Sequence, residues 1–342
     1  MDIRNRRALK DAARERLAAA SYNPRTLALL HIAISAGAAL LITVIDYYLS
    51  HQIADTGGLS GIGVRSVLGT VQTTLQYAQM LVLPFWEIGF IYTVLRIYRG
   101  EQVRPMSLLE GFRRFGPVLR LRILQSVMYV GAAIGCAYLS SFLFAMTPLS
   151  QPVMELLEPM LSMNVTVEQM EELMMQIPLE ELIQAMMPFF VIFGVVYLAV
   201  CLLLMYRFRV ADFLVMDKPR TGALMALALS TRMTRKKRWQ LAKLDLSFWW
   251  FYGLQGLVLI VSYLDLILPA LGIALPVSAD LAWFVFYILG LLAQILLFWY
   301  SHSYVQMTRA AAYEVLCQQM EEENPIPQQP PKKLPWDDYE TQ

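Results

Sequence analysis

Charged residues are scarce in this chain: they make up 16% of 342 residues, against roughly a quarter in soluble domains. Cysteine is scarcer. Cys136, Cys201 and Cys317 are the three present, and no spacing pairs them, which excludes a disulfide framework and a zinc site. The three histidines, His31, His51 and His302, are scattered, and no set of side chains reads as metal ligands. No dinucleotide fingerprint follows a strand, and no Walker loop, Gly-x-Ser-x-Gly elbow or His-Glu-x-x-His pair is found. An enzyme and a bound cofactor are therefore not expected. A cleavable signal peptide is not evident either. The first apolar run begins near Thr26 behind a long charged segment, and at about 24 residues it is too long for a signal core.

What is plentiful is apolar. Hydrophobic residues make up 57% of the chain and mean hydropathy is +0.47. That much apolar surface exceeds what one water-soluble core can hide. Crossing a bilayer core takes roughly 20 apolar residues in a helix, and backbone groups in lipid must pair within the segment. Six runs qualify: Thr26–Leu49, Ala78–Tyr98, Ile123–Met146, Met186–Tyr206, Leu246–Leu268 and Leu281–Ser301. Aromatic residues crowd their ends (Tyr47, Tyr48, Tyr98, Tyr206, Trp249, Trp250, Trp299, Tyr300), as expected at headgroup depth. The predicted fold class is all-α, a polytopic membrane helix bundle of about six spans with basic cytoplasmic amphipathic helices. Residues 1–317 form the membrane domain and residues 318–342 a disordered tail.

The net charge of +1 hides a strong asymmetry. Segments 1–25, 96–122, 207–243 and the C-terminal part hold 27 of the 28 Lys and Arg residues; the alternate loops hold only Arg65. The positive-inside rule places both termini in the cytoplasm, which an even number of spans satisfies. Each pair of spans follows a basic segment: Arg6–Ala20, Ser107–Leu121 and Thr221–Trp239. Leu9, Ala13 and Leu17 recur at helical spacing in the first; Leu108, Leu109, Phe112 and Phe115 share a face of the second, behind a Ser107/Glu110 capping box. The chain reads either as three copies of one unit, an interfacial helix and a hairpin, or as an ordinary set of basic inner loops.

The outer loop 147–185 carries seven Glu and no Lys or Arg, and it is dense in Met. Thioethers can bind Cu(I), but neither His nor Cys accompanies them, so packing of amphipathic helices fits better. The Pro-rich tail contains Pro330-Pro331-Lys332-Lys333-Leu334-Pro335-Trp336, a candidate docking peptide for a protein partner and otherwise a solvated tail.

Ionisable groups inside spans are costly and are functional candidates. Glu87 is the deepest, with no partner base evident at its depth. Gln79 continues a Gln72/Gln76 stripe into the same span, and Gln294 sits mid-span in the sixth. These three form a candidate intramembrane polar site, or else interhelical hydrogen bonds that hold the bundle. Either Arg207 or Arg209 can pair with Asp212, and Asp245 reads as a helix-start residue. Arg232, Arg235, Lys236, Lys237 and Arg238 adjoin spans, so anionic lipid headgroups are their nearest partners and nucleic acid is not expected.

Several stretches resemble a known family. Arg7-Ala8-Leu9-Lys10 with Ala13 and Leu17, Arg99-Gly100-Glu101 followed by Phe112 and Phe115, Tyr206-Arg207-Phe208 with Ala211, Trp239-Gln240-Leu241, Leu244-Asp245-Leu246-Ser247-Phe248 with Trp250, and Tyr304 with Ala310-Ala311-Ala312-Tyr313 are similar to the motifs of the bacterial integral-membrane family called domain of unknown function 975. Trp249 stands where that family usually has Gly, and the Met-rich loop and the tail lie outside the resemblance. The resemblance implies a polytopic bacterial membrane protein and no particular activity. The expectation is a non-enzymatic membrane scaffold or envelope-associated protein contacting anionic lipid. The alternative is a small-solute transporter or permease with a polar path around Glu87.

Overall fold

In lipid, apolar side chains can point outward, so a membrane helix packs only where another element meets it. The computed structural model follows that rule unevenly along its length. It describes residues 2–55, 62–161, 179–218, 221–273 and 278–323, and secondary structure there is helical. Residues 162–178 of the Met-rich loop and the Pro-rich tail from residue 324 lie outside the described residues.

Helix α1 (Arg6–Ala18) is capped by the Asn5 side chain, which accepts from the Ala8 amide at 3.1 Å. Leu9 and Ala13 form its buried face. Next come α2 (Pro24–Asp55) and α3 (Ile62–Tyr98), which pack as a hairpin. A 3₁₀ turn (Pro105–Leu109) and α4 (Glu110–Arg113) lead into α5 (Phe115–Ala145), and α6 (Gln151–Leu161) follows it. The long helix α7 (Leu179–Arg207) pairs with α5. Three short helices, α8 (Ala211–Asp217), α9 (Ala223–Thr234) and α10 (Arg238–Leu246), precede the third hairpin. That hairpin is α11 (Trp249–Ser262), α12 (Leu264–Ala270) and α13 (Ala279–Leu297). A π-helical turn (Phe298–His302) then joins α13 to α14 (Ser303–Glu323).

Five helices are long and apolar enough to cross a membrane, and α10 with α11 makes a sixth if that pair, bent by 63°, is one span. The fold is therefore an all-α membrane bundle. The bend corrects the expected run from Leu246 to Leu268. It also places Asp245 at the C-terminal end of α10 rather than at a helix start.

Two other expectations change. The second basic segment is not one amphipathic helix. Leu108 is fully buried, but Leu109 and Phe115 are exposed. Ser107 does not cap Glu110; its hydroxyl is buried against Thr93 at 3.1 Å and donates to the Arg104 carbonyl. The reason is a close backbone approach. Gly89 of α3 faces Leu108 and Gly111, and a Cβ on either glycine would collide with a carbonyl, that of Leu108 or that of Phe85. The 3₁₀ turn and the short α4 together make this approach.

Packing concentrates at one end. A single core unites Leu9 and Ala13 of α1, Ile88 and Leu95 of α3, Leu121 of α5, Leu214 of α8, Ala226 of α9, Leu244 of α10 and Ala310–Tyr313 of α14. These are the ends of the spans that adjoin the basic segments. The spanning windows are 0% to 22% buried, except that of α3 at 56%. Away from the basic end, then, the hairpins meet lipid along most of their length.

Gly89→Ala forces the α3 contact apart and is expected to cost about 1–3 kcal/mol, as overpacking does. Gly37→Ala, where nothing lies within 4 Å, is the control. Thermal unfolding in detergent should show a lowered midpoint for the first variant and none for the second; equal midpoints refute the close approach.

Candidate functional site

The basic end holds three clusters of paired charges, each built from segments far apart in sequence. The most buried centres on Asp245. The turn after α7 carries Arg209, whose terminal nitrogen lies 2.6 Å from both Asp245 oxygens. Arg309 of α14 approaches the same carboxylate at 3.4 Å and donates to the Tyr252 hydroxyl of α11 at 2.6 Å. The Asp245 side chain is 9% exposed. A buried carboxylate needs a cation in contact, and here two guanidinium groups enclose it. Only a void of about 10 Å³ adjoins them, so the cluster is a closed joint with no room for a substrate.

The second cluster centres on Arg99. Helix α3 ends where Gly100 takes a positive φ of 81° and the Glu101 amide bonds the Arg96 carbonyl at 3.0 Å. This reversal aims Arg99 inward. It contacts both oxygens of Asp217 at the end of α8, one pair at 2.9 Å, and donates through Nε to Glu314 of α14 at 2.6 Å. Tyr313 donates to Asp217 at 2.9 Å. The hydrogen bond with Asp217 holds the Arg99 guanidinium above its ordinary value, so it stays charged throughout the physiological range. Arg114 adds a bond to the Met216 carbonyl beside it.

The third cluster contains Glu87. Arg122 of α5 lies 3.9 Å from Glu87 and 3.6 Å from Asp212 of α8, and it donates to Gln125 at 3.0 Å. Glu87 therefore has a base at its depth, which sequence reading did not find. Its side chain is 58% exposed, so it is not sealed in apolar packing. Asp212 pairs with Arg122, not with Arg207 or Arg209; Arg207 donates to Thr231 at 3.2 Å.

The three candidates for an intramembrane site do not converge. Gln79 lies on α3 more than two turns before Glu87, and Gln294 lines a groove of about 700 Å³ between α11 and α13 with Tyr252, Gln255 and Ser262. The basic run divides as well. Arg235 and Lys236 are exposed in the turn between α9 and α10. Lys237 donates to Gln319 at 2.6 Å, and the Arg238 Nε is buried without a hydrogen-bond partner among the described residues. Arg232 is exposed on α9 and also makes a contact. Among the described residues no group of three His, Cys, Asp or Glu side chains is placed to hold a metal ion.

Sequence reading missed Arg309, Asp217 and Glu314 as members of these clusters. One signal was available: Arg309 is the single base between the sixth apolar run and the tail. Asp245→Asn leaves two buried guanidinium groups on a neutral amide. The expected cost is about 3–5 kcal/mol, the range for breaking a buried pair. Size-exclusion profiles in mild detergent should show loss of monodisperse protein, while a wild-type profile would show that the cluster is not structural.

A family profile described as "Protein of unknown function (DUF975)" matches residues 1–320. No curated protein and no solved structure matches the chain. The matched residues take in α1 through nearly all of α14, and with them all three charge clusters. The chain belongs to this family, protein of unknown function DUF975.

Proposed function

We propose that the protein is a non-enzymatic scaffold of the bacterial inner membrane, with both termini cytoplasmic, and that its basic end contacts anionic lipid. The observation that carries this reading is the one-sided packing. Short basic helices and the adjoining span ends share one closed core, whereas the spanning windows of four helices are at most 22% buried. A conduit would need polar groups lined up across the lipid, and Glu87 beside Arg122 and Gln294 in the α11–α13 groove lie in separate surroundings. The orientation rests on the distribution of Lys and Arg, and it puts the exposed Arg235 and Lys236 against the anionic leaflet. The Pro-rich tail would then lie on the same side as a docking peptide for a protein partner.

One observation favours the transporter alternative. Glu87 is an ionisable, exposed group within a spanning helix, with Arg122 as its counter-charge, and such groups mark candidate ion or proton paths. Proteoliposomes loaded with a pH-sensitive dye separate the two readings. The scaffold reading predicts a proton leak equal to that of empty vesicles. A leak abolished by Glu87→Gln would establish the alternative instead.

Two further measurements test the scaffold itself. Alkaline phosphatase should be inactive when fused after residue 323 and active when fused at Ser150; the reverse would invert the topology. Replacing Arg235 and Lys236 by Glu should weaken retention of phosphatidylglycerol by the purified protein, with an expected difference of about 1 kcal/mol for each removed base. Unchanged retention refutes the contact at that turn.

A further inference from the structure

One cavity of the basic end takes no part in the three clusters. It is a half-open groove of about 790 Å³ between the α1–α2 corner and the foot of the third hairpin. Arg14, Ser21, Asn23 and Arg25 line one side, and Trp250, Tyr300 and Tyr304 the other. We propose that this groove is a binding site for the phosphate headgroup of an anionic phospholipid.

The groove follows from local structure. The Ser303 hydroxyl donates to the Pro24 carbonyl at 2.8 Å, which ties the start of α14 to the start of α2. The π-helical turn shifts the register of the last span, so Tyr300 faces outward and Ser301 inward. Each arginine then stands over an aromatic ring: Arg25 lies 5.7 Å from the centre of Tyr300 and Arg14 lies 5.3 Å from that of Tyr304. Such stacking orients a guanidinium and leaves its N–H edge free for an anion.

Charge supports the assignment. The lining includes two arginines and no Asp or Glu. Asp11 pairs with Arg14 at 3.7 Å, but both side chains are more than two-thirds exposed, and a pair of that kind contributes little. The Tyr304 hydroxyl is buried beside the Arg14 guanidinium, which fixes that arginine at the inner wall.

Position selects a lipid over a free anion. Pro24 opens a span, Trp250 is the second residue of α11, and Tyr300 closes the last span. The groove therefore sits where headgroups lie, with the exposed ring of Tyr300 in its wall.

The proposal rests on the lipid-contacting scaffold reading but names a different surface from Arg235 and Lys236. The test is native mass spectrometry of the full chain in detergent, titrated with dioctanoyl phosphatidylglycerol, dioctanoyl phosphatidylcholine or inorganic phosphate. Phosphatidylglycerol should bind in preference to the other two. Replacing Arg14 and Arg25 by Ala should weaken it about tenfold or more, the loss expected from one or more charge-assisted hydrogen bonds. Ser21→Asp, an exposed change that leaves the core untouched, should do the same if the double variant fails to fold. Wild-type affinity in a folded groove variant, with loss only in the Arg235/Lys236 variant, overturns the groove and leaves the scaffold reading standing. Equal binding of phosphatidylcholine by the wild type overturns both. Binding of inorganic phosphate as tight as that of the lipid overturns the lipid assignment.

Discussion

A carboxylate that cannot reach water requires a cation that does not leave it, and most of this architecture depends on that requirement at Asp245. Two arginines meet it there, one from the turn that ends the second hairpin and one from the helix that continues the third. Neither segment could rotate or slide without leaving a buried ion unpaired, which costs more than any single apolar contact nearby. Tyr252, bonded to Arg309, fixes the start of the third hairpin to the same point.

The other clusters repeat the device with different members. Arg99 ends the first hairpin and holds Asp217, which follows the second, and Glu314, which follows the third. Arg122 begins the second hairpin and reaches Glu87 of the first and Asp212 beyond the second. Every cluster thus joins parts of at least two hairpins, and all lie at the basic end. Lys10 of α1 adds a lighter tie: its ammonium donates to the Ser247 carbonyl at 3.0 Å and sits over the Phe248 ring, where a cation suits the end of a helix. Toward the other end such ties thin out. Thr43 and Tyr287 share a hydrogen bond at 3.2 Å, and side chains there mostly face lipid.

This division explains what the sequence reveals and what it conceals. Spans are legible because lipid demands long apolar runs; five of the six expected runs fall on candidate spans, while Leu246–Leu268 is broken by the 63° bend. The buried face of α1 is legible because Leu9 and Ala13 recur with helical period. The charge clusters are not legible as clusters. Arg209 and Asp245 are 36 residues apart, and Arg99 and Glu314 are 215 apart, so no local spacing announces them. Local rules even mislead. Asp212 has Arg209 three residues before it, yet it takes Arg122, because Arg209 is drawn to the more buried carboxylate. The capping box at Ser107 fails for a similar reason, since a 3₁₀ turn and the short α4 make the glycine contact with α3 there. The family motifs came nearer, for Arg99, Asp245 and Tyr313 all stand in the clusters.

The proximity of three clusters also bears on why charge is retained at this depth. Glu87, Asp212 and Asp245 face Arg122, Arg209 and Arg309, so the acids and bases of the two deeper clusters are equal in number. A balanced set can stay ionised without drawing in a counterion, and apolar replacement of the whole set would lose the directional pairing that fixes which helix meets which. The two arginines of the α1–α2 groove differ in this respect. They line their cavity without an acid among them, and aromatic rings orient both, the exposed Asp11 contact of Arg14 aside. Paired arginines fix the fold, while arginines stacked on rings at headgroup depth keep their hydrogen-bonding edges available. That contrast separates the charges that hold the structure from those placed to meet an anion outside it.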